Sequence, residues 1–238
     1  MKLNIAVLGL IDYKEALELQ ERLHKLQLEG KTGDCLLLLE HPPVLTSGRR
    51  GSKDNILLKP AQLEELGVQV YEINRGGDIT YHGPGQIVGY PVINLNNIGR
   101  DIKDFVWKLE EVFIRLLETE YGIAAYREEK KYTGVWVGDS KITAIGIAVK
   151  QWVTMHGFAF NVNTDLSHFK WINPCGITDR GVTSVQELTG EKQNINYLNM
   201  RAAEYFCEIF GYDLNIITRD ELDGILKSDT DHSVNYGN

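Results

Sequence analysis

Apolar positions along the chain follow two periods. Residues 3–8 read as a strand, and Cys35-Leu36-Leu37-Leu38-Leu39 is a short, continuous apolar run of the kind a sheet buries on both faces. Residues 68–73 alternate as a strand, and 87–95 and 153–162 add two more. Val135-Trp136-Val137, the turn Gly138-Asp139-Ser140 and residues 141–149 predict a β-hairpin. Helical spacing lies between these segments. Asp12 precedes a helix carrying Ala16, Leu17, Leu19, Leu23 and Leu26 largely on one side, ending near Gly30. Pro60 fits the first turn of a short helix closed by Gly67. Asp101 opens the clearest helix, with Phe105, Val106, Leu109, Val112, Phe113, Leu116 and Leu117 at 3–4 spacing before Gly122. Residues 198–210 read as the final helix, and 163–183 as a long loop of the kind that carries function. Strands separated partly by helices and partly by tight hairpins predict a mixed α/β, α+β-like fold: a central mixed β-sheet with packed helices. Residues 1–226 are expected to form a single domain, with 227–238 a polar, frayed tail.

Composition narrows the class. The chain has 238 residues, 43% hydrophobic and 24% charged, which are globular values and exclude a disordered chain. At this length a core forms without a disulfide or metal staple. No apolar run approaches the roughly 18–20 residues that span a bilayer. The first ten residues carry one Lys and a short apolar stretch with no cleavage pattern after them, so the expected location is cytoplasmic, with no membrane partner. Lys+Arg 25 against Asp+Glu 33 gives 25 − 33 = −8, which argues against a general nucleic-acid binder. Three cysteines without CxxC spacing exclude a paired disulfide framework and a zinc knuckle and favour a reducing compartment. Cys35 and Cys207 sit in apolar surroundings and read as inert core residues. Cys175, in Ile172-Asn173-Pro174-Cys175-Gly176-Ile177, is flanked by Pro and Gly, where a thiol can meet a substrate. A loop cysteine without a role is the alternative.

Five glycines between Gly76 and Gly89 contradict strand propensity. They imply positive φ angles or a ligand in contact with the main chain. Neither a P-loop nor a GxGxxG fingerprint is present, so nucleotide phosphates are discounted. The same segment supplies Thr80, Tyr81 and His82, and an irregular edge with a structural histidine is the other reading. His82 and His156 lack HxxxH or HExxH spacing and a carboxylate in register, so no metal is expected. Lys141 starts a strand, where a lysine is most often a solvated edge charge. Near Cys175 it would lower the thiol pKa. A free thiol is only about 3% thiolate at pH 7, and a neighbouring ammonium shifts it by roughly one to three units.

Together these segments resemble one family, the lipoyl(octanoyl) transferases, or octanoyl-[acyl carrier protein]:protein N-octanoyltransferases. The resemblance rests on Arg75-Gly76-Gly77-Asp78-Ile79-Thr80-Tyr81-His82-Gly83-Pro84-Gly85-Gln86 with Gly89-Tyr90-Pro91, and on Glu40-His41-Pro42-Pro43-Val44-Leu45-Thr46-Ser47-Gly48-Arg49-Arg50-Gly51. It continues through Gly134-Val135-Trp136-Val137, Lys141-Ile142-Thr143-Ala144-Ile145-Gly146, His156-Gly157-Phe158-Ala159-Phe160-Asn161-Val162 and the Cys175 segment. It spans about residues 5–215.

The resemblance implies the biotin/lipoate protein ligase catalytic-domain fold. It also implies transfer of an octanoyl or lipoyl group from acyl carrier protein to a lysine on lipoyl domains. Cys175 would carry the acyl group as a thioester and Lys141 would lower its pKa. The substrate-contacting positions would be Arg75, Gly76, Gly77, Asp78, Ile79, Thr80, Tyr81 and His82, then Ala144, Ile145 and Gly146, then Gly157, Phe158 and Ala159. Lys141, or less favourably His82, would accept the proton of the incoming amine. No cofactor is implied, because the thioester carries the driving energy. The implied partners are acyl carrier protein, the lipoyl domains of 2-oxoacid dehydrogenase complexes and the glycine cleavage H protein. Because acyl carrier proteins are acidic, docking on an acidic chain would need a local basic patch, and Arg49, Arg50, Lys53 and Arg75 are the candidates. Two other readings are an ATP-dependent lipoate or biotin protein ligase, which needs no nucleophilic thiol, and a non-catalytic lipoyl-domain binder.

Overall fold

The computed structural model describes residues 1–128, 132–173 and 180–227, apart from the side chain of Lys53. The apolar segments become strands β1 (Lys2–Leu10), β2 (Cys35–Glu40), β3 (Val44–Ser47) and β4 (Gln69–Glu72), with helices α1 (Tyr13–Leu28) and α2 (Pro60–Glu65) between them. Then follow β5 (Ile79–His82), β6 (Gln86–Val92), α3 (Ile102–Tyr121), β7 (Tyr126–Arg127), β8 (Gly134–Val137), β9 (Ser140–Lys150) and β10 (Val153–Asn161). Beyond these are β11 (Gly181–Val182), α4 (Val185–Thr189), α5 (Ile195–Phe210), β12 (Asp213–Ile217) and α6 (Arg219–Lys227).

The main sheet has the order β12-β1-β2-β6-β10-β9-β8-β7, with β11 alongside the start of β9. β1 is parallel to β2 and β12, and the strands from β2 through β7 pair antiparallel, so the sheet is mixed. The β2 run shows why it is wholly apolar. Leu36 and Leu38 point into a core with α3 and α5, whereas Cys35, Leu37 and Leu39 point into a second core with α1 and α6. A smaller sheet, β4-β3-β5, covers a third cluster that includes Leu45, Leu63, Ile79 and Tyr81.

Helix α3 starts where Asp101 accepts hydrogen bonds from the amides of Lys103 (2.7 Å) and Asp104 (3.2 Å), and it ends on Gly122 at φ +64°. Asp12 occupies the equivalent position before α1, but its side chain makes no capping bond.

Several expectations change. The glycine-dense segment contains strand β5, which pairs with β3, itself hidden behind two prolines. The 195–210 helix is not the last, because β12 and α6 follow it. Leu222 and Leu226 are the fully buried side chains of α6, too few for apolar spacing to reveal the helix, and Lys227 closes that helix instead of opening a tail. The 163–183 stretch holds a 3-10 turn at Leu166–Trp171 and strand β11. Residues 228–238 lie outside the described residues.

Candidate active site

A cavity of about 570 Å³ opens where the loop before β5 meets β9 and β10. The loop is stitched on both sides. Gly76 N–H donates to the Ile147 carbonyl of β9 (2.8 Å), while the amides of Gly48, Arg49 and Arg50 donate to the carbonyls of Asp78, Arg75 and Gly77. A Cβ on Gly146 would stand 2.7 Å from the Gly76 carbonyl oxygen, so the strand must be bare where the loop crosses it. Arg75, Gly76, Gly77, Asp78, Ile79 and Thr80 line the cavity from the loop side, and Ala144, Ile145, Gly146 and Ala159 line it from the sheet. Ala144 and Ala159 are register partners on β9 and β10.

A second space of about 30 Å³ adjoins the same wall, sharing Arg75, Thr80, Ala144, Gly146 and Ala159, and adding His82, His156, Gly157 and Phe158. Tyr81 lines neither space. Its ring is buried with Phe169 and Trp171, and its hydroxyl is 2.7 Å from Nδ1 of His168. Burial pushes that phenol well above its ordinary range.

Arg75 is 8% exposed, so it belongs to the interior rather than to a docking face. Its Nη2 donates to the Thr46 carbonyl (2.5 Å) and to Thr46 Oγ1 (3.0 Å), and its Nη1 donates to the Gly76 carbonyl. Thr46 Oγ1 in turn lies 3.3 Å from His82 Nε2, and His82 Nδ1 lies 2.8 Å from Gln86 Oε1. Gln86 passes the network on to Asn161 (2.9 Å). With an amide oxygen as the Nδ1 partner, His82 carries its proton on Nδ1 and receives the Thr46 hydroxyl on Nε2. Burial, reinforced by neighbouring His41, lowers its pKa to about 3, so the ring is neutral. Thr46 was not among the site residues expected from sequence. Its signal is a hydroxyl in a fully buried stretch of β3, which must find a partner.

Lys141, second in β9, also lines the cavity. Its Nζ donates to the Thr133 carbonyl (3.1 Å) and stands 4.9 Å from the centre of the Trp136 ring. Arg180, ion-paired to Glu128 (2.8 Å), also approaches Trp136, at 5.1 Å. Trp136 and Arg180 line the cavity without having been expected from the sequence.

Cys175 lies outside the described residues. Before it, Asn173 N–H donates to the Asn55 carbonyl (2.7 Å). After it, Gly181 and Val182 line the cavity, and Val182 pairs with Lys141. Cys35 and Cys207 are buried, and burial pushes both thiols up to about 11, as inert core residues require. Arg49 and Arg50 are exposed, and Arg50 reaches the cavity.

The family model of the lipoyl protein ligase A/B catalytic domain matches residues 12–207, which include every one of these walls. The chain belongs to that family. It is 59% identical over 227 residues to an octanoyltransferase of Caldicellulosiruptor saccharolyticus, covering 95% of this chain and 97% of that one. Among solved structures, a lipoate-protein ligase A bound with ATP superposes with a TM-score of 0.78 at 16% identity, covering 98% of this chain and 95% of that one. A biotin protein ligase from Aquifex aeolicus superposes with a TM-score of 0.52 at 13% identity, covering 88% of this chain and 69% of that one. The fold is therefore the mixed α/β catalytic fold of the lipoate and biotin protein ligases. Within the lipoyl protein ligase A/B family this chain groups with the octanoyltransferases and is an enzyme, an acyltransferase.

Proposed function

We propose that this family member transfers an octanoyl group from the thioester of acyl carrier protein to a lysine of a lipoyl domain, through a thioester on Cys175. The observation that supports this reading best is a cavity of about 570 Å³ walled by Gly76, Gly77, Ala144, Gly146 and Ala159, and lined also by Lys141. Its volume is typical of a ligand site, and its small side chains leave the main chain bare toward an apolar tail. About six buried methylenes at ~0.8 kcal/mol each amount to roughly 5 kcal/mol of binding.

In the first half-reaction the Cys175 thiolate attacks the thioester carbonyl carbon. One C–S bond forms, the carrier's C–S bond breaks, and the pantetheine thiolate leaves. Lys141, holding the proton that stabilised the Cys175 thiolate, gives it to that leaving group and becomes a neutral amine. In the second half-reaction the substrate lysine amine attacks the acyl-enzyme. The new C–N bond replaces the C–S bond of Cys175, and Lys141 takes the amine proton, restoring the thiolate and ammonium pair. His82 suits the proton transfer less well, because its Nε2 is occupied by Thr46 and burial holds the ring neutral. Backbone N–H groups of the glycine loop other than that of Gly76, which Ile147 holds, are the candidate donors to the oxyanion. The implied partners are acyl carrier protein and the lipoyl domains of 2-oxoacid dehydrogenase complexes and glycine cleavage H protein. No cofactor enters this chemistry.

Incubation with octanoyl-acyl carrier protein and a lipoyl domain, without ATP, is expected to give the octanoyl amide. Omitting the lipoyl domain should leave an intact-mass increment of one octanoyl group on Cys175. Amide formation that strictly required ATP would assign the chain to the adenylating ligases instead, and Cys175→Ala that kept full transfer would remove the thioester.

A further inference from the structure

Glu110 is a buried carboxylate in a helix whose inward face is otherwise apolar. Its neighbours Leu109, Val112, Phe113 and Leu116 fill the main core. An ion in such a place is costly unless it is paired and hydrogen-bonded. Its Oε1 accepts the N–H of Gly134 at 2.9 Å. The carbonyl of the same peptide unit belongs to Thr133, and it accepts the Lys141 ammonium at 3.1 Å. The peptide is trans, so N–H and carbonyl point in opposite directions. The carboxylate thus holds one end of a single peptide plane, and the ammonium holds the other.

Only glycine fits at the joint. Gly134 has φ +133°, and a Cβ there would lie 2.4 Å from the Thr143 carbonyl oxygen and 3.4 Å from Cε of Lys141. Lys141's stem therefore packs on the bare side of the same peptide.

We infer that Glu110 is a positioning residue for Lys141, fixing and polarising the Thr133–Gly134 peptide so that its carbonyl receives the Lys141 ammonium. A negative charge on the N–H side strengthens the carbonyl as an acceptor, because hydrogen bonds in a chain polarise one another. Other charged groups near this corner include Arg127 with its second partner Glu111, which also pairs with Arg115, and Arg180 with Glu128 and, through space, Asp139 of the β8–β9 turn. Arg127 Nε lies 3.6 Å from Glu110 Oε2 and its guanidinium stacks on Trp107, while Arg180 sits by Trp136. Burial raises the Glu110 pKa, against the Gly134 hydrogen bond and the charges of Arg127 and Lys141, which lower it. That balance couples the carboxylate to Lys141. The consequence for catalysis rests on the reading of Lys141 given above.

The test reads Lys141 directly. Trace acetylation of the folded full chain across about pH 7 to 11, followed at Lys141 by peptide mass spectrometry, gives its titration midpoint. Glu110→Gln keeps the shape and an acceptor oxygen but removes the charge. The expected results are a Lys141 midpoint lower by roughly half a unit to one unit, faster hydrogen exchange at the Gly134 amide, and octanoyl transfer slower by about 3- to 10-fold. Added to Lys141→Ala, Glu110→Gln should slow transfer no further.

Glu110→Asp keeps the charge one methylene further back. Because the shortened side chain draws back from the Gly134 amide, it should lower the midpoint in the same direction by a smaller amount, and it serves as the second variant if Gln lowers the melting temperature. An unchanged Lys141 midpoint in both folded variants overturns the inference, as does a further loss of transfer in the double variant. If Lys141→Ala leaves transfer intact while Glu110→Gln still lowers the midpoint, the role of Lys141 in transfer fails and the Glu110 assignment stands.

Discussion

The ammonium of Lys141 contacts a carbonyl oxygen and an indole face, and its side chain lines a cavity that the glycine loop also lines. Both contacts are ones that a charged ammonium makes favourably, one with the carbonyl dipole and one with the indole face. If it sits beside the reacting thiol, Lys141→Ala should raise the midpoint of the Cys175 alkylation-rate profile by roughly one to three pH units. An unchanged midpoint would remove Lys141 from that role. Residue identity singles out Cys175 by its Pro and Gly neighbours, whereas Lys141 reads as an edge lysine and is joined to Cys175 only by the family resemblance. Thr46, Trp136 and Glu110 are not legible in that way. A hydroxyl, an indole and a carboxylate inside apolar runs become meaningful only once their partners, 29, 5 and 24 positions away, are known.

At the scale of elements, β9 and β10 bring Ala144 and Ala159 into register on the cavity floor, and the loop at Gly76 closes over them. Small side chains on adjacent strands leave this part of the cavity open. Replacing Ala159 with Leu adds volume to the cavity floor. It is expected to raise KM for an octanoyl donor by about 10- to 200-fold and to favour shorter chains, measured with a series of acyl-carrier thioesters. A KM unchanged across the series would place the tail elsewhere. Helices α1 and α3 and the β8–β9 hairpin are readable because their apolar spacing runs over many residues and their ends carry Asp, Gly or Pro. Strands β3 and β5 are not. Each has four residues, and β5 is embedded among glycines, so pairing with each other determines them more than propensity does.

Across the whole molecule, the buried imidazoles set an acid limit. Burial lowers His41 and His156 to about 4 and His82 to about 3, against an ordinary value of 6.5. Between those values the unfolded chain binds protons that the folded chain refuses, so stability rises with pH through this window and is lost as pH falls below about 6.5. The melting temperature is expected to drop steadily from pH 7 to about pH 5, before the ordinary carboxylates titrate. His156 has φ +58°, a backbone that Asn tolerates, and His156→Asn should flatten the slope. A melting temperature flat from pH 7 to 5 would mean that the folded chain takes up protons on these rings as readily as the unfolded chain does. Among the described residues no helix is long and apolar enough to cross a membrane.

By itself the sequence determined the mixed α/β class, the main helices and hairpin, and the family resemblance. These depend on local periodicity, on end signals and on contiguous motifs, all of which are written along the chain. Tertiary structure alone decided which groups meet. It moved Tyr81 into the core beneath the small sheet and turned Arg75 inward onto Thr46. It also placed Glu110 behind the peptide that holds Lys141. Such contacts depend on strand register and on desolvation across the sheet. Both are set by packing between distant segments, and neither leaves a period in the sequence.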